Sequence, residues 1–491
     1  MPIEHELAEL TARNATRRHF LQTGMAGLGS LWLGAQHARA STSAAPTIDP
    51  SAPWTPREPH FAAKAKRVIF LHMAGAPSQF ELFSHKPELD RLSGKPCPDS
   101  LLKGERFAFL RGRPEMLGSQ YPFHQAGESG RWVSDRLPEF EKVIDHACFV
   151  HTMTTDQFNH APAQLLVHTG SPRAGGASIG SWTTYGLGSE NQNLPGFMVL
   201  LSGGKNPSVG QAGWGSGFLP SMYQGVQCRS QGDPVLFLSN PEGVSQSLRE
   251  RVITAINQVN RQTHAEWGDP ETLTRIAQYE LACRMQLEAS TAMNLGEESP
   301  ETLALYGAEP GKESLANNCL LARRLTERGV RFVQLFDWGW DSHGTNENEA
   351  INGGFARKAA VMDRAMSALL IDLERRGLLE ETLVVWAGEF GRTPMRENRG
   401  GVEMAFIGRD HHAKAFTIWM AGGGVRAGYS HGETDELGFS PVTPSVQVRD
   451  LHATILHLLG LNHEQLIYPE RGLDQKLTGV EPARVVKELI A

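Results

Sequence analysis

The C-terminal half of the chain repeats one local pattern: an amphipathic helix, a glycine that stops it, and a short apolar strand. A helical pattern over 314–328 ends at Gly329 and is followed by a strand pattern over 330–336. A second runs over 355–376, with Val361, Ala365, Leu369 and Leu373 on one face, ends at Gly377, and leads to a strand over 382–387. A further strand is predicted over 416–421, before Gly422-Gly423-Gly424, and a helix over 450–459 capped by Asp450 or a neighbour. Glycine supplies the left-handed residue that closes a helix, and apolar spacing separates helix from strand. Helix and strand alternating in this way predict an α/β fold: a central, mostly parallel sheet sandwiched by crossover helices.

The first half is less regular. Strands are predicted over 66–73 and 147–151, and helices over 160–167 and 270–290. Residues 170–245, rich in Gly, Ser, Asn and Pro, read as a loop-rich insertion, a lid or substrate-facing segment. With 40% hydrophobic residues the chain has ample core, and a net charge of -7 gives no footprint for nucleic acid. Five widely spaced cysteines form no CxxC pair; they leave room for one disulfide and argue against a thiolate metal site.

The N-terminus reads as an address. Thr16-Arg17-Arg18-His19-Phe20-Leu21-Gln22 is a twin-arginine signature, an apolar stretch spans 25–34, and Ala38-Arg39-Ala40 is a small-residue cleavage site. These three features together favour a signal peptide over an amphipathic first helix. Residues 1–40 are thus expected to be a twin-arginine signal peptide, 41–65 a linker, and 66–491 a single domain. The protein is expected to be periplasmic or secreted, with no membrane helix in the mature chain.

In open α/β sheets, ligands gather beyond the carboxyl ends of the strands. Asp337-Trp338-Gly339-Trp340-Asp341-Ser342-His343 follows one strand, Gly388-Glu389-Phe390-Gly391-Arg392 follows another, and Gly408-Arg409-Asp410-His411-His412 precedes a third. Glu81 lies after the first strand, and Thr152, Thr154 and His160 lie at or after the second. Carboxylates and imidazoles without thiolate suit Zn, Mn, Mg or Ca, as one ion or two. Asp341, His343, Glu389, Asp410, His411 and Glu81 are the candidate ligands. Thr152 or Thr154 is the candidate nucleophile, with Arg392 and His160 for the anion or leaving group. Several of these have plainer readings. Glu389 can be a structural partner of Arg392, Asp341 a helix cap, His72 a core or supporting histidine, and Trp338 and Trp340 core or pocket wall. No C/S-x-P-x-R segment or P-loop is present.

Together, Ser181-Trp182-Thr183-Thr184-Tyr185-Gly186-Leu187-Gly188, Trp340-Asp341-Ser342-His343-Gly344, Gly388-Glu389-Phe390-Gly391-Arg392-Thr393-Pro394 and Gly408-Arg409-Asp410-His411 resemble a bacterial family. It is the twin-arginine-exported, sulfatase-like family known as domain of unknown function fifteen-oh-one. The resemblance runs from about Lys66 to the end. It implies the alkaline phosphatase–sulfatase fold, with Asp341, His343, Asp410 and His411 at the metal-binding strand ends. Glu389 stands where relatives in the superfamily place Asp followed by His, and Phe390 replaces that His. Glu81 and Ser84 stand where family members often carry two Asp. The expected function is an exported metal-dependent hydrolase of sulfate or phosphate esters acting on a small-molecule or polysaccharide substrate, such as a sulfated polysaccharide. The alternative is a non-catalytic protein on a degenerate scaffold, binding a glycan or partner through its aromatic segment 182–224. A phosphomutase is a weaker third reading, since an exported enzyme meets few sugar phosphates.

Overall fold

The computed structural model describes residue 49, residues 52–229, residue 240, residues 243–399 and residues 401–491. The predicted signal peptide lies outside the described residues, as does most of 41–51. From Ile48 to Ala491 the chain forms one compact unit.

Its centre is a mixed, mostly parallel sheet. In chain order the strands are β1 (Arg67–Ala74), β2 (Ala147–Thr154), β3 (Phe197–Ser202), β4 (Val226–Cys228), β5 (Phe332–Trp338), β6 (Thr382–Ala387), β7 (Phe416–Ala421), β8 (Ser430–His431) and β9 (Val446–Gln447). Across the sheet they run β8-β2-β7-β6-β1-β5-β3-β4, with β9 also on β2. β1 pairs in parallel with both β5 and β6, so Ala74, Trp338 and Ala387 end at one edge. β7 is antiparallel to β2 and β6, and Phe416, its first residue, pairs with Met153 near the end of β2. The segment before β7 therefore reaches the same edge as the segments after β1, β5 and β6. This reversal brings residues 408–412 to the site.

Alternate residues of each strand feed two apolar layers. Ile69, Leu71 and Met73 of β1 join Val333, Leu335, Trp386 and Trp419 beneath the helices Leu315–Glu327 and Gly354–Arg375. Val68 and Phe70 join Phe332, Phe336, Val385 and Ile418 beneath the helices Ile179–Leu187 and Val448–Leu458. The last of these starts in a capping box in which Asp450 accepts from Gln447 N at 3.0 Å. A pair of long helices, Gln246–Trp267 and Pro270–Met293, follows the expected insertion, and the second of them covers the helix expected over 270–290.

The segment 170–245 is not simply loop, since it contributes the buried helix Ile179–Leu187 and the sheet strands β3 and β4. One of its glycines serves contact: a Cβ on Gly180 would lie 2.6 Å from the Phe197 ring. Trp182, Tyr185, Trp214 and Tyr223 are core residues there, not a glycan-facing surface. Residues 53–65, read as linker, lie against the domain. Arg57 donates to the Thr184 and Tyr185 carbonyls at 2.8 and 2.7 Å, and Lys64 N to Leu458 O at 2.8 Å. All five cysteines are free thiols, so the one possible disulfide is not formed. No helix among the described residues is long and apolar enough to cross a membrane.

Candidate metal centre

The carboxyl edge brings four ligand-bearing side chains together: His160, Asp341, His343 and His411, whose ligand atoms lie within 4.8 Å of one another. Asp341 sits on the turn after β5. The turn presses on the β1 loop so closely that a Cβ on Gly75, at φ +104°, would lie 2.6 Å from Asp341 N. Glycine is required there for both space and conformation. His411 opens a two-residue strand paired with Gly391–Arg392, in which His411 lies opposite Arg392. His160 is the first residue of the helix His160–Thr169 that follows β2.

Asp341 is the hub. Its Oδ1 lies 2.8 Å from His343 Nε2, 3.3 Å from His411 Nε2 and 2.6 Å from Arg392 Nη2. Its Oδ2 lies 3.2 Å from His160 Nε2. At 26% exposure its side chain is the open face of the cluster.

Each of the three imidazoles is held at Nδ1 by a group that only accepts hydrogen bonds. His343 Nδ1 meets the Glu397 carboxylate, His411 Nδ1 the Phe158 carbonyl at 2.7 Å, and His160 Nδ1 the Glu389 carboxylate at 2.6 Å. Such partners fix the hydrogen on Nδ1 and turn the Nε2 lone pair inward. His343 Nε2 and His411 Nε2 then face each other at 3.0 Å. Two lone pairs at that distance require a proton or a cation between them. His160 Nε2 is buried and, despite its nearness to Asp341, makes no hydrogen bond of acceptable geometry. The donor set therefore fits a divalent cation.

Burial alone would raise the Asp341 carboxyl, but Arg392 and the three imidazoles outweigh it and hold it well below the usual carboxylate range. Burial opposes charge on His160, but Asp341 and Glu389 on either side overcome it and raise its pKa to about 9. His343 is likewise raised against burial by Asp341 and Glu397. His411 goes the other way, to about 4, because burial and the nearby Arg392 outweigh Asp341. Phe390 packs on His160 and His411 at ring separations of 5.0 and 4.5 Å, and Phe109 meets His343 edge-on at 4.9 Å. They form an apolar wall that excludes water from one side.

The other expected residues are placed elsewhere or used otherwise. Glu389 is fully buried and accepts from Gly75 N at 3.0 Å, Gln164 Nε2 at 2.9 Å and His160. It orients a ligand and does not pair with Arg392. Asp410 is consumed by the N–H groups of Phe109, Leu110 and His411 at 2.7, 2.9 and 2.8 Å, although with His343 and Glu397 it forms a second, fully buried group of metal-ligating side chains. Glu81 is not brought to the cluster: it is fully buried and paired with Arg409, Nη2 to Oε1 at 2.7 Å and Nε to both oxygens at 3.2 Å. Arg392 is buried and directed at the Ala76, Gly75 and Arg409 carbonyls and Asp341, a clamp on the hub with little left for an external anion.

Thr152 lies inside β2, 3.4 Å from the Pro444 carbonyl, and Thr154 lines a separate surface cavity with Asp156 and Arg449. Neither hydroxyl is brought to the cluster. Ser84 bonds Thr417 and lines a different cavity, so neither Glu81 nor Ser84 belongs to the four-residue cluster. Trp340 is core, its Nε1 donating to Asp337 at 2.9 Å, and Trp338 lies 6.2 Å from the His160 ring. Glu397, Gln164 and the Phe158 carbonyl escaped the sequence reading. Only Glu397, five residues past Arg392, stood near a motif.

An α/β protein with a His/Asp cluster at the carboxyl edge of its sheet is thus the class the fold and site define. The chain belongs to the family described as "Protein of unknown function (DUF1501)", which matches residues 65–490. No curated protein matches it. Among solved structures it is similar to the PsFucS1 sulfatase from Pseudoalteromonas sp., at 14% identity over 83% of this chain and 69% of that one, TM-score 0.35. It is also similar to alkaline phosphatase from the Antarctic bacterium TAB5, at 11% identity over 82% and 99% of the two chains, TM-score 0.32. A third is an alkaline phosphatase superfamily protein from Vibrio parahaemolyticus, at 9% identity over 93% and 77%, TM-score 0.34.

Proposed function

We propose that this chain is an exported, metal-dependent hydrolase of sulfate or phosphate esters, with sulfated polysaccharide as its substrate class. The observation that carries the metal is the convergence of three Nδ1-anchored imidazoles on Asp341. The ester class and export rest on the motif resemblance and the N-terminal pattern. Three imidazoles and one carboxylate suit Zn²⁺, or Mn²⁺, better than Mg²⁺ or Ca²⁺, which favour all-oxygen sites.

His160, Asp341, His343 and His411 would hold one divalent ion, which when bound supplies Lewis acidity to an ester's anionic oxygen. The chain's own groups prepare that state. Glu389, Glu397 and the Phe158 carbonyl keep hydrogens on Nδ1, Arg392 holds Asp341 Oδ1, and Phe390 and Phe109 exclude water behind the imidazoles. The exposed side of Asp341 is where a substrate enters. With Thr152 and Thr154 engaged elsewhere, water is the attacking group in this reading.

The test is an assay of sulfate and phosphate monoesters with wild type, chelator-treated protein and Asp341→Ala. Turnover that needs both the metal and Asp341 is expected. Glycan binding with no metal and no turnover would favour the non-catalytic reading instead.

A further inference from the structure

A second cavity, of about 490 Å³, is lined by none of the cluster residues. It lies where the edge of the sheet, at β2 and β8, meets the hairpin formed by Phe123–Ala126 and Arg131–Ser134. One wall is a row of rings. His85 is stacked on Phe123 at 5.3 Å and 18°, and lies 4.1 Å from Trp132. Trp132 is 43% exposed, one of the few large aromatic side chains left in solvent among the described residues. The floor continues the pattern, with His151 stacked parallel on Phe149 at 5.8 Å.

The polar lining is mixed. Ser84 Oγ and His151 Nδ1 both meet Thr417 Oγ1, at 3.2 and 3.4 Å, a short chain of groups able to donate and accept. Two cations, Lys86 and Arg131, line the cavity and are fixed by backbone carbonyls: Lys86 Nζ donates to Thr434 O at 3.1 Å and Arg131 Nη2 to Gly428 O at 2.6 Å. One acid, Glu433, sits exposed on the rim.

A cavity of this size is in the range of small-ligand sites, which combine an aromatic surface with a few fixed polar groups. A sugar ring presents an apolar C–H face to an aromatic wall and hydroxyls to a mixed donor–acceptor lining. Lys86 has Asp435, Glu433 and Glu436 near it, whereas Arg131 forms no ion pair among the described residues, so it is Arg131 that favours a ring that also carries a negative group. We propose that this cavity is a saccharide-binding site for a sugar bearing a carboxylate or sulfate, separate from the His/Asp cluster. It goes beyond the hydrolase reading and stands whether or not the cluster turns over the same molecule.

The test is calorimetric titration of the purified full chain with three oligosaccharides of matched length, carrying carboxylates, sulfates or no charge, and with inorganic sulfate. Saturable binding is expected for a charged saccharide, at least about tenfold tighter than for the neutral one. It should weaken by about tenfold or more in Trp132→Ala and in Arg131→Gln and persist in Asp341→Ala. The carboxylate and sulfate arms identify the anion. No binding, equal binding of the neutral sugar, or binding unchanged in both variants would overturn the proposal. So would inorganic sulfate binding as tightly as the saccharide. Loss in Asp341→Ala with retention in Trp132→Ala would also overturn it, while leaving the hydrolase reading standing.

Discussion

Asp341 and Glu81 both follow strands that end at the same edge, yet the fold uses them in opposite ways. Glu81 is sealed with Arg409, both at 0% side-chain exposure, and its oxygens are committed to one guanidinium. Asp341 is 26% exposed and is shared by Arg392 and three imidazoles whose outer nitrogens are already anchored. One pair is closed and satisfied. The other is a convergence of lone pairs that a cation resolves. A carboxylate near a strand end is therefore no guide to metal binding until the donors that reach it from elsewhere are counted.

The largest way to sharpen this contrast is to break the closed pair. Glu81→Ala leaves Arg409 buried without its partner and is expected to cost about 3–5 kcal/mol of stability, read by urea denaturation. Metal content of the folded fraction should be unchanged. Loss of metal without loss of stability would merge the two sites and break the comparison. Next in size, Glu397→Gln and Glu389→Gln weaken the anchors of His343 and His160. Each is expected to lower metal affinity by about 10–100-fold in a competition titration, with near-normal folding.

A pH series probes the open site directly. In the cation-free protein His160 is raised to about 9, so a proton competes with the metal for Nε2. As pH rises from 6 toward 9 that proton is lost more easily, and affinity should climb by up to about tenfold per unit. A flat profile would remove His160 from the ligand set. The smallest effect concerns the core. His452, buried with Nε2 2.7 Å from the Val167 carbonyl, is lowered to about 4 by burial. Its folded pKa lies below the unfolded value, so its contribution is present above about pH 6.5 and is lost as pH falls toward 4. His452→Gln should flatten the acid limb of a thermal-stability profile over that window.

What was legible in the sequence follows the range of the forces involved. Strands β1, β6 and β7 and the helix Gly354–Arg375 lie within a residue of the expected positions, because apolar periodicity and terminal glycines are local signals. Asp341, His343 and His411 are legible for the same reason, since each sits next to a strand signal. The fate of Asp410 is not, because Phe109 and Leu110, whose N–H groups consume it, are about three hundred residues away. The reversed direction of β7 also has no local signature, although it delivers His411. Residues 170–245 were read as loop because glycine marks both turns and close helix–strand contact; at Gly180, against Phe197, contact is the reason.

His160, Asp341, His343 and His411 are expected to hold one divalent cation. Elemental mass spectrometry of the purified full chain, with Asp341→Ala and His411→Ala purified alongside, is the direct test. About one equivalent of Zn or Mn per wild-type chain is expected, and close to none in either folded variant. Wild-type protein that carries no divalent metal and takes none up on addition would contradict it, as would variants that keep a full equivalent.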